Sequence, residues 1–188
     1  MGIVINQSIK NTIITYLGFG IGAINVLFLF TQFLSDEYFG LITYILSTAN
    51  VMMPILAFGA HNTIIKFYST YKTRLTQNSF LILMLFLPLL IIIPLAFIGF
   101  IAFDTISHWM MGNNAIIEDY VWLIFITAIS FSYFEVFYAW SRVQLQSVFG
   151  NFMKEVFHRV LIAILLICLY ADFITVNQLI YGITGVYL

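Results

Sequence analysis

Phe80–Phe103 reads FLILMLFLPLLIIIPLAFIGFIAF, 24 residues without a charge. A helix of that length rises about 36 Å, enough to cross a hydrocarbon core of about 30 Å. The run decides the class: an all-α, polytopic transmembrane helix bundle. The whole chain agrees. Its 188 residues are 62% hydrophobic and 8% charged, with mean hydropathy +1.03, where a soluble domain carries about 25% charged residues. A net charge of −1 calls for no nucleic-acid partner. The one cysteine, Cys168, sits in an apolar run and reads as a small packing residue. The first apolar run is too long for a cleavable signal peptide and lacks a small-residue cleavage site.

Working outward from that run, spans are predicted at 10–34, 38–60, 80–103, 120–142 and 155–173, with a sixth apolar segment at 179–188. A crossing needs about 20 residues, so the sixth is incomplete. The expectation is five complete spans plus the start of a sixth, forming the first lobe of a longer two-lobe protein. Between the spans lie an acidic turn at Ser35-Asp36-Glu37 and a basic connector, His61–Gln77. That connector holds a cluster, Ile64-Ile65 and Phe67-Tyr68, that suggests a short interfacial helix turn. Asp104–Asp119 reads as the longest loop, with Gly112-Asn113-Asn114 as turn material, and Ser147–Lys154 as a second basic connector. Following the chain through these crossings puts all seven basic residues on one side: Lys10, Lys66, Lys72, Arg74, Arg142, Lys154 and Arg159. Six of the eight acids, Asp36, Glu37, Asp104, Glu118, Asp119 and Asp172, fall on the other. The positive-inside rule then makes the N-terminus cytoplasmic, with Trp122 and Trp140 as interfacial anchors.

Three of the predicted helices carry a polar or small stripe at helical spacing. The first has Asn11, Thr15, Gly18, Gly22, Asn25, Leu29 and Gln32; the second Thr43, Ser47, Asn50, Pro54, Ala57 and His61; the fourth Ala128, Ser132, Glu135, Ala139, Arg142 and Gln146. The third and fifth show no such stripe. Two readings stand. Small and polar residues let membrane helices approach and hydrogen-bond. Alternatively the stripes line a water-filled cavity, with Asn25 and Asn50 near mid-depth and Gln32 nearer the outer end. Glu135 is the only ionisable side chain well inside a long apolar run, about 9 Å from the cytoplasmic end at the helical rise. A charge there costs roughly 2.5–3.5 kcal/mol. It needs either a partner, for which Arg159 is the candidate, or a transport role as a gate or proton carrier. His158 and Arg159 open the fifth span and are expected to reach back to the interface.

No Walker A sequence, nucleophile elbow, CxxC or paired-carboxylate constellation occurs, and His61, His108 and His158 do not cluster at metal-ligand spacing. The chain is read as a non-enzyme without cofactor or metal.

Several local patterns are shared with a known family. Lys10-Asn11-Thr12 leads into a Gly-rich first helix. Leu34-Ser35-Asp36-Glu37-Tyr38-Phe39-Gly40 makes a short acidic turn. Phe58-Gly59-Ala60 closes the second helix ahead of Ile-Ile-Lys-Phe-Tyr-Ser at 64–69, and the fourth ends Phe137-Tyr138-Ala139-Trp140-Ser141-Arg142. The chain resembles, over essentially its whole length, the N-terminal half of bacterial polysaccharide-biosynthesis membrane proteins. These are the oligosaccharide (O-antigen type) flippases of the multidrug/oligosaccharidyl-lipid/polysaccharide exporter superfamily. The resemblance implies a MATE-like half in the bacterial cytoplasmic membrane and a second, C-terminal lobe as partner. It implies movement of an undecaprenyl-diphosphate-linked oligosaccharide to the outer leaflet by alternating access, with H+ or Na+ as coupling ion. Cavity cations meet the pyrophosphate in that family. Lys10, Lys66 and Arg142 are the candidates here, all expected at the cytoplasmic mouth, where Arg159 is a further basic residue. The deep arginines of some relatives are replaced on the first two helices by Asn25, Asn50 and Gln32, a wall suited to sugar. A multidrug or metabolite exporter of the same fold and a non-transporting membrane scaffold are the alternatives.

Overall fold

The computed structural model of the chain describes residues 2–111 and 114–188, all of whose regular structure is helical. Gly112 and Asn113, expected as turn material, lie outside the described residues. Helix α1 (Gly2–Ile24) begins ahead of the expected start at Lys10 and continues through a π-helical segment, Asn25–Phe30, into a last turn, Thr31–Phe33. Leu34 is extended and ends it. α2 (Asp36–Leu56) opens with Asp36 and Glu37 in its first turn, where acids complement the helix dipole. It stops at Phe58 and Gly59, both at positive φ (48° and 69°), the left-handed pair that turns the chain into α3 (Ala60–Phe67). α4 (Arg74–Phe86) is capped by Thr73, whose hydroxyl accepts from the Thr76 amide. Pro88 separates it from α5 (Leu89–Ile101) without ending the helical run, which extends over Arg74–Ile101. Then come α6 (Phe103–Met111), a 3-10 segment Ala115–Tyr120, and α7 (Val121–Val143). α8 (Ser147–Phe152) runs through a second π segment, Met153–Phe157, into α9 (His158–Tyr170) without a break. α10 (Val176–Val186) starts with a Thr175/Gln178 capping box. Among the described residues, four helical runs are long and apolar enough to cross a membrane: Ile5–Phe33, Asp36–Leu56, Arg74–Ile101 and Ile116–Val143.

Three expected connectors are corrected. His61–Gln77 is helical over Ala60–Phe67, and its Ile64 is fully buried rather than interfacial. Asp104–Asp119 holds α6 and the 3-10 segment. Ser147–Lys154 is the first part of the fifth long helix, because Ser147 and Asn151 find hydrogen-bond partners on α1 and need no aqueous loop.

The chain divides into two compact units, one of Met1–Ile42 with Gln144–Leu188, the other of Thr43–Val143. In the second, Ala60 and Ile64 of α3 pack with Phe80, Leu81 and Met84 of α4 and Val136 and Ala139 of α7. Ala49 and Leu56 of α2 join Ile92 and Ala128 in a further cluster. In the first unit, α9 and α10 form a hairpin in which Gly182 lies against the Leu165 side chain, 3.2 Å from where a Cβ would stand. Its buried residues include Ile162, Leu166, Leu179, Ile180 and Ile183.

Candidate functional site

The polar groups of the first unit meet along one seam. The Gln7 side-chain amide donates to the Leu145 carbonyl. Asn11 Nδ2 donates to Ser147 Oγ at 3.1 Å. Asn151 Nδ2 lies 3.1 Å from the Asn11 carbonyl and 3.3 Å from Thr15 Oγ1. A Cβ on Gly18 would meet the Glu155 carbonyl, and one on Gly22 the Arg159 side chain. Asn25 Nδ2 donates to the Arg159 carbonyl at 2.8 Å, and Phe33 stacks on Tyr170 with centroids 4.7 Å apart. Both series ascend together, so α1 and the α8–α9 helix are parallel neighbours. Side chains three or four apart recur on one helical face, and that is why the stripe from Asn11 to Asn25 meets a matching one: Ser147, Asn151, Glu155 and Arg159.

This register decides where the charges sit. Arg159 lies beside Gly22, about 18 Å along α1 from Lys10 at a rise of about 1.5 Å per residue. It was expected at the mouth with Lys10. Its guanidinium is 3.3 Å from the Glu155 carboxylate one turn earlier, with side chains 28% and 22% exposed. Within its own unit Arg159 thus has Glu155 as its ion-pair partner. His158, next to Arg159, packs its ring against Tyr187 at 5.3 Å. An ion pair packed beside the middle of the long apolar helix Ile5–Phe33 is costly unless its charges are matched and hydrogen-bonded. The absence of a Cβ at Gly18 and Gly22 is what admits it at that depth.

The other expected residues are placed as follows. Asn25 is 3% exposed, in the seam rather than on an open wall, and its Oδ1 is buried without a hydrogen-bond partner. Lys10 and Gln32 are exposed on the first helix. In the second unit, Thr43, Ser47, Asn50 and Pro54 are all exposed and run along one face of α2. On α7, Ala128, Ser132 and Ala139 are buried in packing, and Ser132 Oγ donates to the Ile129 carbonyl at 2.8 Å. Glu135 is half-buried. Arg142 is exposed, with Cζ 5.7 Å from the Tyr138 ring centroid, and Lys66 Nζ is 5.2 Å from that of Phe67. Sequence reasoning missed Ser147, Asn151 and Glu155. Their four-residue spacing with Arg159 was the available signal, hidden by dividing the helix at its charges. Among the described residues, no group of three or more His, Cys, Asp or Glu side chains could hold a metal ion.

No family model, no curated protein and no solved structure matches the chain. The described residues form an all-α bundle with four helices long and apolar enough to span a membrane, and a polar, charged seam in one of its units.

Proposed function

We propose that this chain is one lobe of a transporter that flips an undecaprenyl-diphosphate-linked oligosaccharide across the bacterial cytoplasmic membrane by alternating access. The observation that carries the reading is Arg159, held by Glu155 and incompletely buried at mid-length of the α1 seam. A fixed guanidinium is suited to a pyrophosphate, which it can bind through two parallel hydrogen bonds. Arriving pyrophosphate would compete with the Glu155 carboxylate for the same cation. The exposed Thr43–Ser47–Asn50 face offers neutral hydroxyl and amide groups, the complement of sugar hydroxyls. Lipid cannot satisfy such groups, which supports an aqueous or substrate-facing position for them.

The sidedness proposed is N-terminus inside. Parallel α1 and α9 are what three intervening crossings require, and both then begin on the basic side. Lys10, Lys66 and Arg142 gather the anionic lipid at the mouth, and Glu135 acts as an inner-gate acid. Asn25 and Gln32 complete the polar inventory of α1, a second lobe would close the cavity, and a proton or sodium gradient would drive the cycle. The chain itself would catalyse no covalent chemistry.

The test is flipping in cells with variants of Arg159. Arg159→Gln, with expression adjusted to wild-type abundance, should reduce surface polysaccharide at least tenfold, with Arg159→Lys intermediate. Full export by Arg159→Gln overturns the assignment of Arg159. Deleting the gene should remove surface polysaccharide and leave drug sensitivity unchanged; altered drug sensitivity with intact polysaccharide points to the exporter alternative.

A further inference from the structure

Helix α6 does not leave the bundle as a loop would. The α5 run arrives at it with Phe97, Phe100 and Ile101 exposed at 66%, 83% and 70%, a surface suited to lipid tails. The first charge, Asp104, comes in the first turn of α6. α6 is then fastened at its middle and near its C-terminal end. Ser107 is buried, and the Tyr44 hydroxyl donates to the Met110 carbonyl at 3.2 Å. This bond ties the end of α6 to α2.

At 100° per residue the nine residues of α6 divide into three sectors. Asp104 and His108, one turn apart and exposed, form a polar edge. Ser107 and Met111 face the unit. Trp109, 84% exposed, and half-buried Ile106 form an apolar edge. A helix with water on one edge, lipid on the next and protein on the third belongs at the membrane–water boundary, where indole rings concentrate. We infer that α6 is an interfacial helix seated in the headgroup layer, with Trp109 as its lipid anchor. The occupant of its exposed apolar edge is the bilayer surface itself. The inference needs only that α5 spans the membrane, and stands apart from the transport reading.

The test uses the full chain with Trp122→Phe and Trp140→Phe, reconstituted in phosphatidylethanolamine/phosphatidylglycerol vesicles, so that Trp109 is the sole indole. Lipids with nitroxide high on the acyl chain should quench its emission at least twofold more than lipids with nitroxide deep in the chain, and aqueous iodide should quench weakly. Strong iodide quenching with no nitroxide effect would place α6 in water, and stronger deep-nitroxide quenching would place it in the core; either overturns the inference. If the double substitution prevents folding, Trp109→Cys in a Cys168→Ser background, spin-labelled, reports the same depth. Oxygen and nickel-chelate accessibilities of an interfacial site are expected, and those of a free aqueous label would refute it.

Discussion

Gly18→Ala and Gly22→Ala change the same group on the same face of α1, and the structure separates them. A Cβ at position 18 would stand 2.2 Å from the Glu155 carbonyl oxygen and 2.7 Å from its carbon, both backbone atoms. Carbon and oxygen approach to about 3.3 Å at closest, so the two helices must part by about 1 Å. That displacement lengthens the 2.8 Å bond from Asn25 to the Arg159 carbonyl and the 3.1 Å bond from Asn151 to the Asn11 carbonyl beyond hydrogen-bonding range. Overpacking costs about 1–3 kcal/mol, and each interhelical bond in a membrane protein adds roughly 0.6 kcal/mol. Better helix propensity of Ala over Gly returns about 1 kcal/mol. The net expectation for Gly18→Ala is destabilisation by about 1–3 kcal/mol. At position 22 the new Cβ meets Arg159 Cδ at 3.2 Å, Nε at 3.3 Å and Cζ at 3.4 Å, the movable part of a flexible side chain. Gly22→Ala should therefore be neutral within about 0.5 kcal/mol, or slightly stabilising by the propensity term. Reversible unfolding in mixed micelles, titrated with dodecyl sulfate and followed by circular dichroism, measures both. Equal stability of the two variants, or a larger loss at position 22, would refute the parallel seam.

Three further outcomes follow from the same geometry. Ile64→Ala opens a cavity among Ala60, Phe80, Leu81, Met84, Val136 and Ala139 and should cost about 2–5 kcal/mol in the same titration, whereas a surface connector would lose almost nothing. Leu145 holds φ at 60° with its side chain 62% exposed; Leu145→Asn should stabilise by about 0.5–1 kcal/mol, since left-handed geometry suits Asn far better than Leu. Glu155→Gln and Arg159→Gln should each destabilise by about 1–3 kcal/mol, and the double variant by less than their sum, because the second substitution removes the charge that the first left unmatched. Additive losses would show that the 3.3 Å pair carries no coupling.

The membrane class was legible because hydrocarbon forces it: a run such as Phe80–Phe103 has few alternatives to a spanning helix. The Asn11–Asn25 stripe was legible because small and polar residues recur on one helical face. What composition could not show was where charged residues end a helix and where they are packed inside one. Ser147–Lys154 looks like a connector, with a span starting only at Glu155, because Lys154, Glu155 and Arg159 stand close together. It is helix because α1 supplies Asn11, Thr15 and two glycines to receive it. Partner chemistry on a distant stretch decides that, and no local window contains it. The same holds for Ile64, buried by α4 and α7. The two π segments, Asn25–Phe30 and Met153–Phe157, have no local sequence signal that distinguishes them from ordinary helix.

The central claim is that a lipid-linked oligosaccharide crosses the membrane by way of Arg159. The most direct measurement is the leaflet distribution of that lipid in cells lacking the gene, complemented with wild type or with Arg159→Gln. Accumulation on the cytoplasmic leaflet in the deletion, cleared by wild type and not by an equally abundant Arg159→Gln protein, is the predicted result. An unchanged distribution on deletion, or full clearance by Arg159→Gln, would contradict it.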